Sequence, residues 1–143
     1  MEPQATITWI GPGLRLIGET SSGHAVVIDH AMQNEERLET APHPMQLILI
    51  GMMGCTTMDV ISILQKKRQP FTGLRVTARA ERADDHPRVF TKIHLEYIVQ
   101  GKGVDPKAVE RAIELSHTKY CPGVAMLGKT AEITSSYQLQ DAE

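Results

Sequence analysis

From Pro44 to Gln69 the chain reads PMQLILIGMMGCTTMDVISILQKKRQ, room for about six turns of helix with no second proline and an apolar residue on nearly every face as far as Leu64. Such a helix is either buried in a core or spans a membrane. Gln46, Thr56, Thr57 and Asp59 interrupt the stretch, and no unbroken run of about 18 apolar residues exists, so the burial reading is preferred and no membrane partner is expected. Gly51 and Gly54 each weaken the helix and mark a kink or a close helix contact beside Cys55. The cations of KKRQP suit a C-terminal dipole, and Pro70 ends the helix.

A buried helix needs sheets to cover it, and the flanking sequence supplies them. ATITWI, LRLIGET and HAVVID read as three short strands of a meander, and residues 31–43 as an exposed loop. FTGLRVTARAERADDHPRVFTKIHLEYIVQG reads as two long strands joined at Pro87, with Ile93, Leu95, Tyr97 and Val99 on a dry face and Lys92, His94 and Glu96 on a wet one. Asp105 and Pro106 open a second helix with Val109, Ala112, Ile113 and Ser116 as its inward stripe. PGVAMLGK forms a short turn or helix, and AEITSSYQL a last strand. One α+β domain over residues 1–143 is the expectation, since a chain of this length buries enough surface to hold a core unaided.

The net charge of −2 gives no basic field for nucleic acid, and 4% aromatic residues leave few stacking platforms. The N-terminus has no basic-then-apolar leader pattern, which points to the cytoplasm and to reduced cysteines. There are two, Cys55 and Cys121. Cys55 alone reads as buried filler before it reads as a nucleophile, since a free cysteine packs as a small hydrophobe. Cys121 precedes Pro122 and alone reads first as a plain turn residue, or else as a helix N-cap, where free N–H groups and the nearby Lys119 would lower a thiol pKa. A peroxide-reducing site needs one thiol to attack and a second to condense with the sulfenic acid, and two cysteines satisfy that count. Zinc lacks ligands: His117 and Cys121 form a lone i, i+4 pair, the other histidines are scattered, and no metal or cofactor is expected. GVAMLGKT matches a phosphate-loop pattern but follows a helix and precedes a strand, the reverse of what phosphate binding requires, so it reads as a short helix ended by Gly128.

Together PHPMQLILIGMMGC, DVISILQKKRQ, PRVFTKIHL and LSHTKYCPGVAMLGKT make the chain resemble the OsmC/Ohr superfamily of osmotically inducible and organic-hydroperoxide-resistance proteins. The resemblance implies antiparallel sheets wrapped around long central helices in an intertwined homodimer. It implies a thiol-dependent peroxidase in which Cys55 attacks an organic hydroperoxide and Cys121 resolves it as an intrachain disulfide, reset by a dithiol or lipoyl-type reductant. Ohr-type members place a glutamate, which helps hold an activating arginine, where this chain has Gln46; Gln46 can hydrogen-bond a guanidinium but adds no charge. Arg15, Arg82 and Arg88 are the candidate arginines, each also readable as solvated surface charge. Asp59, one turn beyond Cys55, would raise the thiol pKa if it faced the sulfur. The competing expectation is a non-catalytic dimer that holds a small apolar ligand at its interface.

Overall fold

The computed structural model describes residues 2–141. It divides into two compact units, 1–50 and 51–143, and the division falls inside the long helix.

In the first unit β1 (Ala5–Trp9), β2 (Leu16–Thr20) and β3 (Ala25–Ile28) form an antiparallel meander in the order β1-β2-β3. The β2–β3 turn closes on Gly23, whose φ of +87° is open only to glycine at little cost. The loop after β3 is exposed, as expected, yet it is organised by a side chain that sequence reading leaves as a strand end. Asp29 is buried, and its carboxylate receives Arg37 Nη1 and Nη2 at 2.8 and 2.7 Å, the backbone N–H groups of His30 and Thr40, and the Thr40 hydroxyl. The bidentate Arg37 holds this carboxyl well below the usual range, against the opposing effect of burial. Arg15 Nε lies 3.5 Å from the same carboxylate, so Arg15 is a partner of a buried acid rather than a solvated surface charge. Two of the histidines expected to be scattered also meet here: the His30 and His43 rings stack at 4.1 Å, with Glu39 bonded to His43 Nε2 at 2.7 Å.

The long helix α1 (Pro44–Lys66) starts and stops where the sequence places it. Gln46 Oε1 accepts the His43 N–H at 2.9 Å, half of a capping box that satisfies one of the donors a helix start leaves over. At the far end Arg68 adopts φ +56°, with Gln69 N–H on Leu64 O and Arg68 N–H on Gln65 O, a Schellman closure with arginine where glycine is usual. α1 is long and apolar enough to cross a bilayer, but Met52, Thr56, Val60 and Leu64 form a fully buried ridge at i, i+4 spacing, which is the mark of a core helix. The described residues fully bury that ridge and leave its flanks half-covered, whereas the sequence suggests burial all round: Ile48, Ile50 and Met58 stay exposed, Met58 at 73%. A Cβ on Gly51 or Gly54 would meet nothing within 4 Å, so of the two expectations, a kink or a close helix contact, the contact is not made among the described residues. The close approach occurs at Gly123 instead, where a Cβ would stand 3.0 Å from Met52 Cα.

The second unit contains the rest of α1 and a three-stranded sheet, β4 (Phe71–Arg82), β5 (Phe90–Gly101) and β6 (Glu132–Gln140), in the order β4-β5-β6. β4 and β5 form the expected antiparallel hairpin, but β6 runs parallel to β5. Parallel pairing requires a crossover, supplied by α2 (Pro106–Leu115), a π-helical turn (Ser116–Tyr120) and α3 (Pro122–Leu127). Asp105 caps α2 through the Lys107 N–H, with Pro106 in the first turn. Ile93, Leu95, Tyr97 and Val99 are buried on β5, as are Val109, Ala112, Ile113 and Ser116 on the inward stripe. GVAMLGKT is α3 and its exit, with Gly128 as C-cap, and forms no phosphate loop.

Two stability measurements follow. Leu64→Ala should cost about 2–5 kcal/mol in urea unfolding, the range for emptying a fully buried leucine site. Asp29 binds its proton less readily folded than unfolded, so its contribution is present above the ordinary value of 3.8 and is lost as pH falls below it. Melting curves against pH should show a steep acid limb that Asp29→Asn makes shallower, with lower stability at pH 7.

Candidate active site

The site lies in the second unit. α1 carries Cys55, half-buried, with Thr56 beside it and Asp59 one turn on. Cys121 reaches it from the other side because the α2 spiral widens: the Cys121 N–H bonds back five residues to Ser116 O at 2.8 Å, ending the π turn with extended backbone. The two sulfurs are 3.0 Å apart, both cysteines are free, and Cys121 Sγ donates to Cys55 Sγ.

Cys121 is the N-cap of α3, its sulfur accepting the Val124 N–H at 3.3 Å. The geometry is as expected; the acidification is not. Burial at 3% exposure pushes the Cys121 thiol up to about 11, the bond to Cys55 adds to the rise, and the N–H groups of Val124 and Gly123 offset only part of it. Lys119 does not help, since its Nζ sits over the Tyr120 ring, 5.2 Å from the centroid.

Beneath the sulfurs runs a chain of hydroxyls that sequence reading missed. Thr56 Oγ1 lies 2.8 Å from Tyr97 OH and 2.7 Å from Ser116 Oγ, Ser116 Oγ is 3.0 Å from Asp59 Oδ2, and Tyr97 OH is 2.7 Å from His117 Nε2. Donor counting fixes its direction. Ser116 has one hydrogen and gives it to Asp59, so Thr56 donates to Ser116, Tyr97 to Thr56, and His117 from Nε2 to Tyr97. Burial lowers the His117 pKa, favouring the neutral ring, and raises Tyr97 to about 12, keeping the phenol protonated. His117 therefore serves Tyr97 and does not pair with Cys121. The available signal was a polar residue at a core position on each of two facing apolar stripes, Thr56 and Ser116.

The sulfurs and a carboxylate oxygen of Asp59 lie within 4.8 Å of one another, as do ligand atoms of His30, Glu39 and His43 in the first unit, so either trio offers three donors to a metal. Two thiolates on tetrahedral zinc stand roughly 3.7 Å apart, and the 3.0 Å contact suits a thiol pair better. Gln46 lies in the first unit, its carboxamide oxygen engaged at the start of α1. Of the other candidate arginines, Arg82 Nε bonds Arg88 O within the β4–β5 hairpin.

Comparison with known proteins identifies the family and the fold. The family described as OsmC-like protein matches residues 35–136. Protein YhfA of Escherichia coli K12 is 40% identical over 136 residues, spanning 95% of this chain and 97% of its own. The chain belongs to the OsmC-like protein family. A hypothetical protein from Aquifex aeolicus VF5, solved by crystallography, superposes with a TM-score of 0.81 at 28% identity, all of both chains being covered. An organic hydroperoxide resistance protein OsmC from Legionella pneumophila shares the fold, with a TM-score of 0.67 at 17% identity and 94% of each chain covered.

Alkylation tests the asymmetry of this family member's two thiols. Under iodoacetamide at pH 7.5, peptide mapping should find Cys55 modified first, and in Cys55→Ser, where burial still raises the thiol, the Cys121 rate should keep climbing about tenfold per pH unit past the ordinary value of 9.0.

Proposed function

We propose that the protein is a thiol-dependent reductase of organic hydroperoxides, working as a homodimer in the cytoplasm. Cys55 attacks the peroxide oxygen, the alcohol leaves, and Cys55 becomes a sulfenic acid. Cys121 then displaces the sulfenic oxygen as water, giving an intrachain disulfide that a dithiol of the lipoyl kind reopens by exchange.

The observation that carries this reading is the Cys121 Sγ to Cys55 Sγ contact of 3.0 Å in a reduced pair, about an ångström beyond a disulfide bond. Cys121 keeps its hydrogen and aims it at Cys55, which favours Cys55 as the attacking sulfur and Cys121 as the second. A cavity of about 360 Å³ opens at Asp59, walled by Ile63, Leu115 and Tyr120 with Lys66 and Lys67, and it gives room for the organic part of a peroxide. Dimerisation is supported by apolar surface that a single chain leaves open: Ile48, Ile50 and Met58 on α1, and Ile7, Trp9 and Val26 on the meander.

One equivalent of cumene hydroperoxide followed by non-reducing peptide mapping should yield a Cys55–Cys121 disulfide within a chain. Cys55→Ser should abolish turnover, and Cys121→Ser should stop after one turnover with a sulfenic acid that a cyclic 1,3-dione traps. Equal, slow peroxide loss in wild type and Cys55→Ser would sink the reading. A ligand co-purifying with inert thiols would favour the binding role instead.

A further inference from the structure

The sulfur that must lose a proton, Cys121, is the one the fold keeps protonated, and the nearby Lys119 is turned to the Tyr120 ring. We propose that Asp59 is the proton acceptor for Cys121. As the Cys121 and Cys55 sulfurs bond, the Cys121 hydrogen passes to the Asp59 carboxylate and from there to the oxygen leaving Cys55. The balance is closed. The S–H and S–O bonds break, the S–S bond forms, the electron pair of the S–O bond departs with the oxygen, and that oxygen leaves as water. The identity of the leaving oxygen rests on the peroxidase reading above; the transfer from Cys121 to Asp59 does not.

Three observations carry the assignment. Asp59 sits four residues after Cys55 on the same face of α1, and its carboxylate is within 4.8 Å of both sulfurs, within reach through one water or a small side-chain rotation. One of its oxygens is pinned: Oδ2 takes the Ser116 hydrogen at the end of the polarised chain from His117 through Tyr97 and Thr56. The other has no hydrogen-bond partner among the described residues. Among the described residues, no other carboxylate stands with the two sulfurs. Besides the two thiols, the other titratable groups there are Lys66, Lys67 and Tyr120, which line the cavity with Asp59, and Tyr97 and His117, which are committed to the hydroxyl chain. A carboxylate beside a thiol opposes a resting thiolate but is suited to receive the proton in the act of bonding. Ser116, Thr56, Tyr97 and His117 are then positioning residues.

The test uses a leaving group that needs no proton. Treating the reduced protein with one equivalent of 5,5′-dithiobis(2-nitrobenzoate) places thionitrobenzoate on Cys55, and attack by Cys121 releases a second thionitrobenzoate, read by absorbance. In the wild type this second phase should be nearly independent of pH from 6 to 9. In Asp59→Asn, which can still accept the Ser116 hydrogen bond, it should be about 100-fold slower at pH 7 and rise tenfold per pH unit. Equal rates and slopes in the two proteins overturn the proposal. So does a tenfold-per-unit slope in the wild type, a result that needs no variant to fold. A parallel run of Cys121→Ser with cumene hydroperoxide separates the two readings: no trappable sulfenic acid on Cys55 there, together with an Asp59-dependent second phase in the protein with both cysteines, upholds the proton acceptor and removes the peroxidase.

Discussion

Thr56 bonds Tyr97 on β5 and Ser116 at the head of the π turn, and these two buried hydrogen bonds tie three elements of the second unit at one point. A buried hydroxyl left without a partner costs about 1–3 kcal/mol, so the three groups hold one another to a single arrangement. That arrangement places the sulfurs. Cys55 adjoins Thr56 on α1, and Ser116 accepts the Cys121 N–H that turns the chain back toward α1. The thiol contact thus inherits its register from the core beneath it, and the polarity of the chain, running from His117 to Asp59, gives that core a direction as well as a position.

What the sequence discloses is what local chemistry dictates. Pro44, Asp105-Pro106 and Cys121-Pro122 announce three helix starts, and each is one in the structure, because proline at the first turn loses no hydrogen bond. The alternation through Ile93 to Val99 gives the dry face of β5 for a similar reason. The features that stayed hidden depend on partners distant in the chain. Asp29 receives Arg37 eight residues away, and β6 pairs parallel with β5 across two helices and a π turn. Arg68 closes α1 in a conformation that only the Schellman bonds reveal. At the site, the positions of the cysteines could be read but their environment could not: whether a hydroxyl in an apolar stripe has a partner depends on the opposing element.

The burial of α1 shows the same limit from the other side. Apolar residues on every face require cover, and the ridge from Met52 to Leu64 has it within the unit. Composition cannot say whether the remaining faces are covered by the same chain or by another. Exposed Met58 and Ile50 show that the chain does not cover all of them itself. The open space beside Gly51 and Gly54 fits this, since glycines on an uncovered helix face permit a close neighbour that the single chain does not provide.

Cys121 shows why a motif and its chemistry must be argued separately. The N-cap position offers two N–H groups and a helix dipole, and both favour a thiolate. But α3 has six residues, which limits its dipole, and the sulfur is buried, which penalises the charge more than the N–H groups reward it. Burial wins, and a position that looked like an activating cap holds a thiol that donates to its neighbour. The consequence reaches both partners. Cys55 meets a fixed S–H donor instead of a competing thiolate, and Cys121 can bond to it only by surrendering a hydrogen, for which the Asp59 carboxylate is the nearby acceptor.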